Sequence, residues 1–211
     1  MKVDIVQQSM GTATSTIDFT SSVFSSDVKG AIFWMSNATA NDSATADEKF
    51  SFGATDGTNQ CCVASAYVGD GTTPSTAKVR GKNTVTIGLK NADTSDYISK
   101  ADTPTIVATG MRLTRTTAFN NELCNCLLIG GSDTELKVLN GTLDGGTPNS
   151  AVTIAHGMSG APDMLIFFTC LAGNNVDGPQ ARTLIGTWVN GTYASVVSSR
   201  VAGAAGDHRQ A

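Results

Sequence analysis

The sequence predicts an all-β protein, an antiparallel β-sandwich of jelly-roll type, on three observations. Charged residues make up only 15% of the 211-residue chain while 22 residues are glycine, so Thr, Ser, Asn and Gly must cover the surface, a mix that suits short strands and tight turns. Apolar residues alternate with polar ones in Lys49-Phe50-Ser51-Phe52 and in Thr84 to Leu89, the two-residue period of a half-buried strand. Asp56-Gly57 and Asn190-Gly191 each stand between strand-like runs, where those dipeptides supply the left-handed conformations of a two-residue hairpin. No stretch carries the 3.6-residue periodicity of a long amphipathic helix.

Read in order, strands are predicted at 3–9, 15–20, 29–35, 49–54, 60–68, 76–80, 83–90, 105–115 and 121–130. The runs Ala31 to Met35 and Met164 to Cys170 are continuously apolar, as in a central strand buried on both sides. Each holds adjacent rings, Phe33/Trp34 and Phe167/Phe168. Neighbouring strand residues point to opposite faces, so one ring of each pair packs in a core and the other points outward, free for an interface or a ligand.

The chain also resembles itself. Lys29 to Trp34 reappears as Asp163 to Phe168, and each is followed by a polar loop. Phe50-Ser51-Phe52-Gly53 matches Thr183-Leu184-Ile185-Gly186, and Asp56-Gly57-Thr58 matches Asn190-Gly191-Thr192. Upstream, Val3 to Val6 corresponds to Leu136 to Leu139. A spacing this long is domain-sized and excludes a solenoid of 20–50-residue repeats. Residues 1–131 are therefore read as one full sandwich unit and 132–211 as a partial second copy.

Composition narrows the function. Net charge is −4, the pI is near 5.0, and the 14 basic residues are scattered, so a nucleic-acid backbone is not the expected partner. No apolar run approaches the ~20 residues of a membrane-spanning helix. No apolar segment follows Met1-Lys2-Val3-Asp4, so no signal peptide is expected. The Asn-x-Ser/Thr triplets at Asn37, Asn41, Asn140 and Asn190 then read as turn residues. The five cysteines lack the spacing of zinc ligand pairs and read as reduced, small apolar strand residues. Cys61 and Cys62 must face opposite ways, and Cys124 and Cys126 the same way.

No catalytic motif stands out. Gly157-Met158-Ser159-Gly160 lacks the spacing of a nucleophile elbow, and the nearby His156 reads as a polar loop residue. Carboxylates cluster at Asp42, Asp47 and Glu48 and at Asp93 and Asp96. Oxygen-rich loops can hold calcium, but none of these follows a calcium-loop spacing, and turn chemistry is the stronger reading. No cofactor, metal or enzymatic activity is expected.

The Ala31-Ile32-Phe33-Trp34 strand, the loop with Ala44-Thr45-Ala46, the Phe50 to Gly57 segment and the closing Leu127-Leu128-Ile129-Gly130-Gly131 together resemble repeat-bearing structural proteins of tailed bacteriophages. The resemblance implies a virion component, made in the host cytoplasm, that assembles with identical copies and other virion proteins as a capsid decoration or a tail or fibre part. A homo-oligomer is expected, with Phe33, Trp34, Phe167, Phe168 and Trp188 as candidate interface or ligand aromatics. The alternative is a carbohydrate-binding or adhesin module reading a host-surface glycan through Trp34, Trp188 or Tyr193.

Overall fold

A computed structural model describes residues 1–42, 49–68, 76–90, 96–140, 155–170, 177–178, 181–189, 191–200 and 209–210. Among these residues fifteen strands run in chain order: β1 (Lys2–Ser9), β2 (Thr16–Thr20), β3 (Val28–Ser36), β4 (Lys49–Thr55), β5 (Gln60–Val68), β6 (Thr76–Lys82), β7 (Ile87–Lys90), β8 (Tyr97–Val107), β9 (Gly110–Thr117), β10 (Leu123–Gly130), β11 (Met164–Cys170), β12 (Asp177–Gly178), β13 (Ala181–Val189), β14 (Thr192–Arg200) and β15 (Arg209–Gln210). There is no helix among the described residues.

The strands form three antiparallel sheets. The first has seven strands in the order β1-β10-β3-β4-β5-β6-β12, the second has four, β2-β9-β8-β7, and the third has four, β11-β13-β14-β15. The first two stack into the sandwich. The strands that open and close residues 1–131 wind into both layers, β1 and β2 each beside a late strand, β10 and β9. That interleaving is jelly-roll-like, whereas the middle strands run as plain meanders, β3 to β6 and β7 to β9. β12 pairs with β6, so the second half of the chain supplies the last strand of the first sheet.

Register shows which residues meet between the layers. Cys126, Phe33, Gly53 and Cys62 lie side by side across β10, β3, β4 and β5, and Cys124, Met35, Ser51 and Ala64 form the next row. All eight face the second sheet. From there Phe19 on β2 meets Phe33 edge to face, with centroids 5.3 Å apart, and Ile87, Leu89, Met111 and Leu113 complete the core. Gly53 is needed in this row because a Cβ there would strike the backbone oxygen of Thr86, which crosses directly over it. Gly57, in the β4–β5 turn, has φ +84°, a conformation that costs glycine little.

Several strand predictions differ from the structure: the expected strand 83–90 is strand only over β7, with residues 85–90 all buried rather than alternating, and β8 begins at Tyr97, where no strand is expected. The region 105–115 is not one strand but the hairpin of β8 and β9, turning at Ala108-Thr109. Neither residue is a turn former, so the pattern reads straight through. β8 also accommodates Pro104, because the register shifts between Asp102 and Thr105 and Thr103 takes φ +48°. Such a bulge spares proline the ladder bond it cannot donate. Residues 134–140, matched in sequence to the first strand, form no strand. The Val138 amide and the Asn140 side chain instead donate to Asp56 and to the Gln60 carbonyl beside the β4–β5 turn.

β11, β13 and β14 pair as β3, β4 and β5 do. Phe167-Gly186-Ser195 repeats the row Phe33-Gly53-Cys62, and Phe168-Ile185-Val196 repeats Trp34-Phe52-Val63.

Candidate interaction face

The other side of the seven-stranded sheet carries the adjacent residues of the same strands. Its central rows are Ile5-Leu127-Ile32-Ala54-Cys61 and Gln7-Asn125-Trp34-Phe52-Val63, running from β1 through β10, β3 and β4 to β5. None of these ten side chains is charged. The alternation in Lys49 to Phe52 thus has an unexpected sense. Ser51 is the buried residue, its hydroxyl 3.3 Å from the Cys62 sulfur, and Phe50 and Phe52 point outward, edge to face at 4.8 Å.

Part of this outer face is covered. The third sheet lies over β5 and β6 and reaches β4 through Phe168, which stacks on Phe52 with centroids 5.3 Å apart and planes 21° from parallel. Phe50, Val63, Leu184 and Ile185 line a shallow cleft around that contact. Residues 134–140 cover one end, with Val138 buried and Leu136 seated over Gly30. The β1, β10 and β3 part stays open. Ile5 is 61% exposed and Val3 49%, and Ile32, Trp34 and Leu127 are half-buried.

Asp56 holds the covering segment down. Its Oδ1 accepts from the amides of Thr58 at 2.9 Å and Asn59 at 2.6 Å, and its Oδ2 accepts from the Asn59 side chain at 3.1 Å and the Val138 amide at 3.0 Å. Burial alone would push this carboxyl up, but the donors from Val138, Asn59 and Thr58 outweigh it and hold it below its ordinary value of 3.8. A group depressed on folding stabilises the protein above its unfolded pKa, and that stabilisation is lost as pH falls from about 4 through the lower folded value. An Asp56→Asn variant, which replaces one accepting oxygen with an NH2 donor facing N–H donors, is expected to lose about 1–2 kcal/mol at pH 7. The gap to the parent in thermal melts should close as pH falls below about 4. A gap independent of pH would remove the ionised carboxylate from this role.

The five candidate aromatics separate. Phe33 is fully buried between the layers and presents nothing to a partner, so the outward ring of that pair is Trp34. Phe168 is half-buried against Phe52. Phe167 is 39% exposed on the opposite side of the third sheet. Trp188, half-buried, pairs with Leu165 and faces the same way as Phe167. The structure therefore brings only Trp34 and Phe168 to the outer face of the first sheet. Sequence reading missed Val3, Ile5, Ile32, Phe50, Phe52 and Leu127, whose alternation gives a period but not the sense that assigns it to core or surface.

Next to Trp34 the face turns polar. The Gln7 amide nitrogen donates to Asn41 Oδ1 at 3.1 Å and to Asn125 Oδ1 at 3.0 Å, and Asn41 Nδ2 returns a bond to Gln7 Oε1 at 3.2 Å. Asn125 is the cross-strand neighbour of Trp34.

Elsewhere the reactive residue types are occupied or insulated. The Ser159 hydroxyl donates to Glu135 at 2.6 Å rather than to His156, whose Nδ1 accepts from the Met158 amide at 3.1 Å. Those Ser159 bonds hold the Glu135 carboxyl below its usual range. Cys61, Cys62, Cys124 and Cys126 are thiols outside any disulfide. Burial pushes Cys61 up to about 12 and raises Cys124 and Cys126 as well, which keeps them protonated and weakly nucleophilic. Among the described residues no three potential ligands gather around a metal position, and no helix is long and apolar enough to cross a membrane. Asp47, Glu48 and Asp93 lie outside the described residues. Comparison with family models, curated protein sequences and solved structures finds no match for this chain.

Proposed function

We propose that this protein is a non-enzymatic structural component of a tailed-bacteriophage virion, a capsid decoration or a tail or fibre part, that acts through protein–protein assembly. The observation that carries the assembly reading is the open part of the outer sheet face, where Val3, Ile5, Ile32, Leu127 and Trp34 lie together with no charged side chain among them. Contiguous exposed apolar surface of this kind marks interaction sites, and depletion of charge is the signature of an interface core. In this reading residues 1–131 are the complete unit and 132–211 a partial copy, a division supported by the matched pairing of β3-β4-β5 and β11-β13-β14. The virion assignment rests on the sequence resemblance.

Immunogold electron microscopy with antibody to residues 1–131 tests the assignment on lysates of the source culture. Label is expected on particles, on heads for a decoration protein and on tails or fibres for an appendage. Label confined to cells or free matrix would overturn the virion reading. It would favour a glycan-binding module, for which Trp34 beside the Gln7, Asn41 and Asn125 amides is the supporting feature. An aromatic face next to paired amide donors and acceptors suits a pyranose ring and its hydroxyls.

A further inference from the structure

Sheet edges are where β proteins pair with one another, and natural edges are blunted by short length, proline, bulges, unpaired charges or a covering segment. The two stacked sheets end on four strands, β1 and β12 in the first and β2 and β7 in the second. Three are protected. β12 has two residues, β7 has four and a register shift at Leu89/Lys90, and β2 has five. β1 is different. It has eight residues, no proline, and an unbroken register with β10 from Lys2 to Ser9. Both its charges are tied back into the sandwich, Lys2 to Asp27 at 2.8 Å and Asp4 to the Ser21 hydroxyl. On the outer face it offers only Val3, Ile5, Gln7 and Ser9.

We infer that β1 pairs antiparallel with β1 of a second copy of this chain about a two-fold axis through Ile5. Such an axis, normal to the sheet, sets residues of the same face opposite each other. Centring on Asp4 would place two carboxylates directly opposite, which is unfavourable. Centring on Ile5 sets Ile5 against its own copy, Val3 against Gln7, Asp4 against Val6 and Lys2 against Gln8, with no like charges facing. It sets Ile5, 61% exposed, against its own copy, so that each side chain shields part of the other from water. The two seven-stranded sheets become one, and their open faces join across the axis into a single uncharged surface. A strand from another protein has no such internal reason to match this edge. The pairing rests on the assembly reading above but not on its virion assignment.

The test is mass by light scattering after size exclusion, across a concentration series. The parent chain is expected to approach twice 21.7 kDa. Ile5→Lys, which sets two ammonium groups at the axis, is expected to run at the single-chain mass with an unchanged thermal melt, because the side chain is mostly exposed in the single chain. Ile5→Cys treated with diamide, which takes the two thiol hydrogens as the disulfide forms, should give a covalent dimer on a non-reducing gel. Gln8→Cys, opposite Lys2 in this register, should not. A parent chain that stays monomeric at every concentration, or a dimer undiminished in Ile5→Lys, overturns the pairing. Loss of the dimer in Ile5→Lys together with absence of label from particles would retain the pairing and overturn only the virion assignment.

Discussion

Phe33→Ala is expected to destabilise the protein by about 3–5 kcal/mol, the range for removing a fully buried aromatic side chain. The size of the effect follows from the neighbours. Phe33 sits between Cys126 and Gly53 in its row and meets Phe19 edge to face across the layers. Gly53 cannot be enlarged to fill the gap and the flanking cysteine is small, so the site collapses poorly and a cavity remains. Trp34→Ala, one residue along, removes a half-buried ring from the opposite face and should cost about 1–2 kcal/mol, in proportion to the smaller apolar area returned to water. Urea unfolding of the two variants checks the contrast. Equal losses would contradict the assignment of Phe33 to the core and Trp34 to the outer face.

Arg115→Met is expected to cost about 3–4 kcal/mol although it removes no ion pair. Arg115 is 9% exposed, and its guanidinium donates to the carbonyls of Met10, Ser15 and Thr16 and to the Ser15 hydroxyl. These residues form the crossover that carries the chain from β1 in one sheet to β2 in the other. Methionine keeps much of the stem volume but takes the guanidinium donors from the Met10 and Thr16 carbonyls, while the Ser15 carbonyl keeps the Arg115 backbone amide; unsatisfied buried acceptors cost about 1–3 kcal/mol each. Arg115→Lys should rescue little, because one ammonium cannot span acceptors that a planar fork reaches together. Denaturant unfolding measures the loss, and hydrogen exchange should show its centre at residues 10–16. A loss under about 1 kcal/mol would mean that water satisfies these carbonyls.

Most of the first unit was legible in the sequence. Strands at β3, β4, β5 and β10 lie within a residue or two of their expected bounds, because their apolar period and their glycine turns agree. The opposite orientations of Cys61 and Cys62, and the shared face of Cys124 and Cys126, follow from strand geometry alone and hold. The β8–β9 hairpin was not legible, since Ala108-Thr109 has no turn chemistry and the bulge at Thr103-Pro104 breaks the alternation on which detection depends. The candidate face was legible only in part. Trp34 was visible as one of two rings pointing apart, whereas Val3, Ile5 and Leu127 read as ordinary strand apolar residues.

The sequence by itself determined the class of the protein, the positions of its main strands, and the rule that neighbours along each strand separate to opposite faces. These are local properties, set by side-chain type, turn geometry and the period of the extended chain. The tertiary structure alone decided which face is which. Phe50 and Phe52 point away from the sandwich core and Ser51 into it, because the Thr86 backbone crosses over Gly53 and leaves room beneath the second sheet for small residues on that part of β4. It also decided that β11 and β13 would cover β5 and β6 but leave β1, β10 and β3 open, and that β1 would stand at an edge. Those outcomes depend on pairing between residues far apart in the chain, and alternation within a strand carries no record of which distant strand will lie beside it.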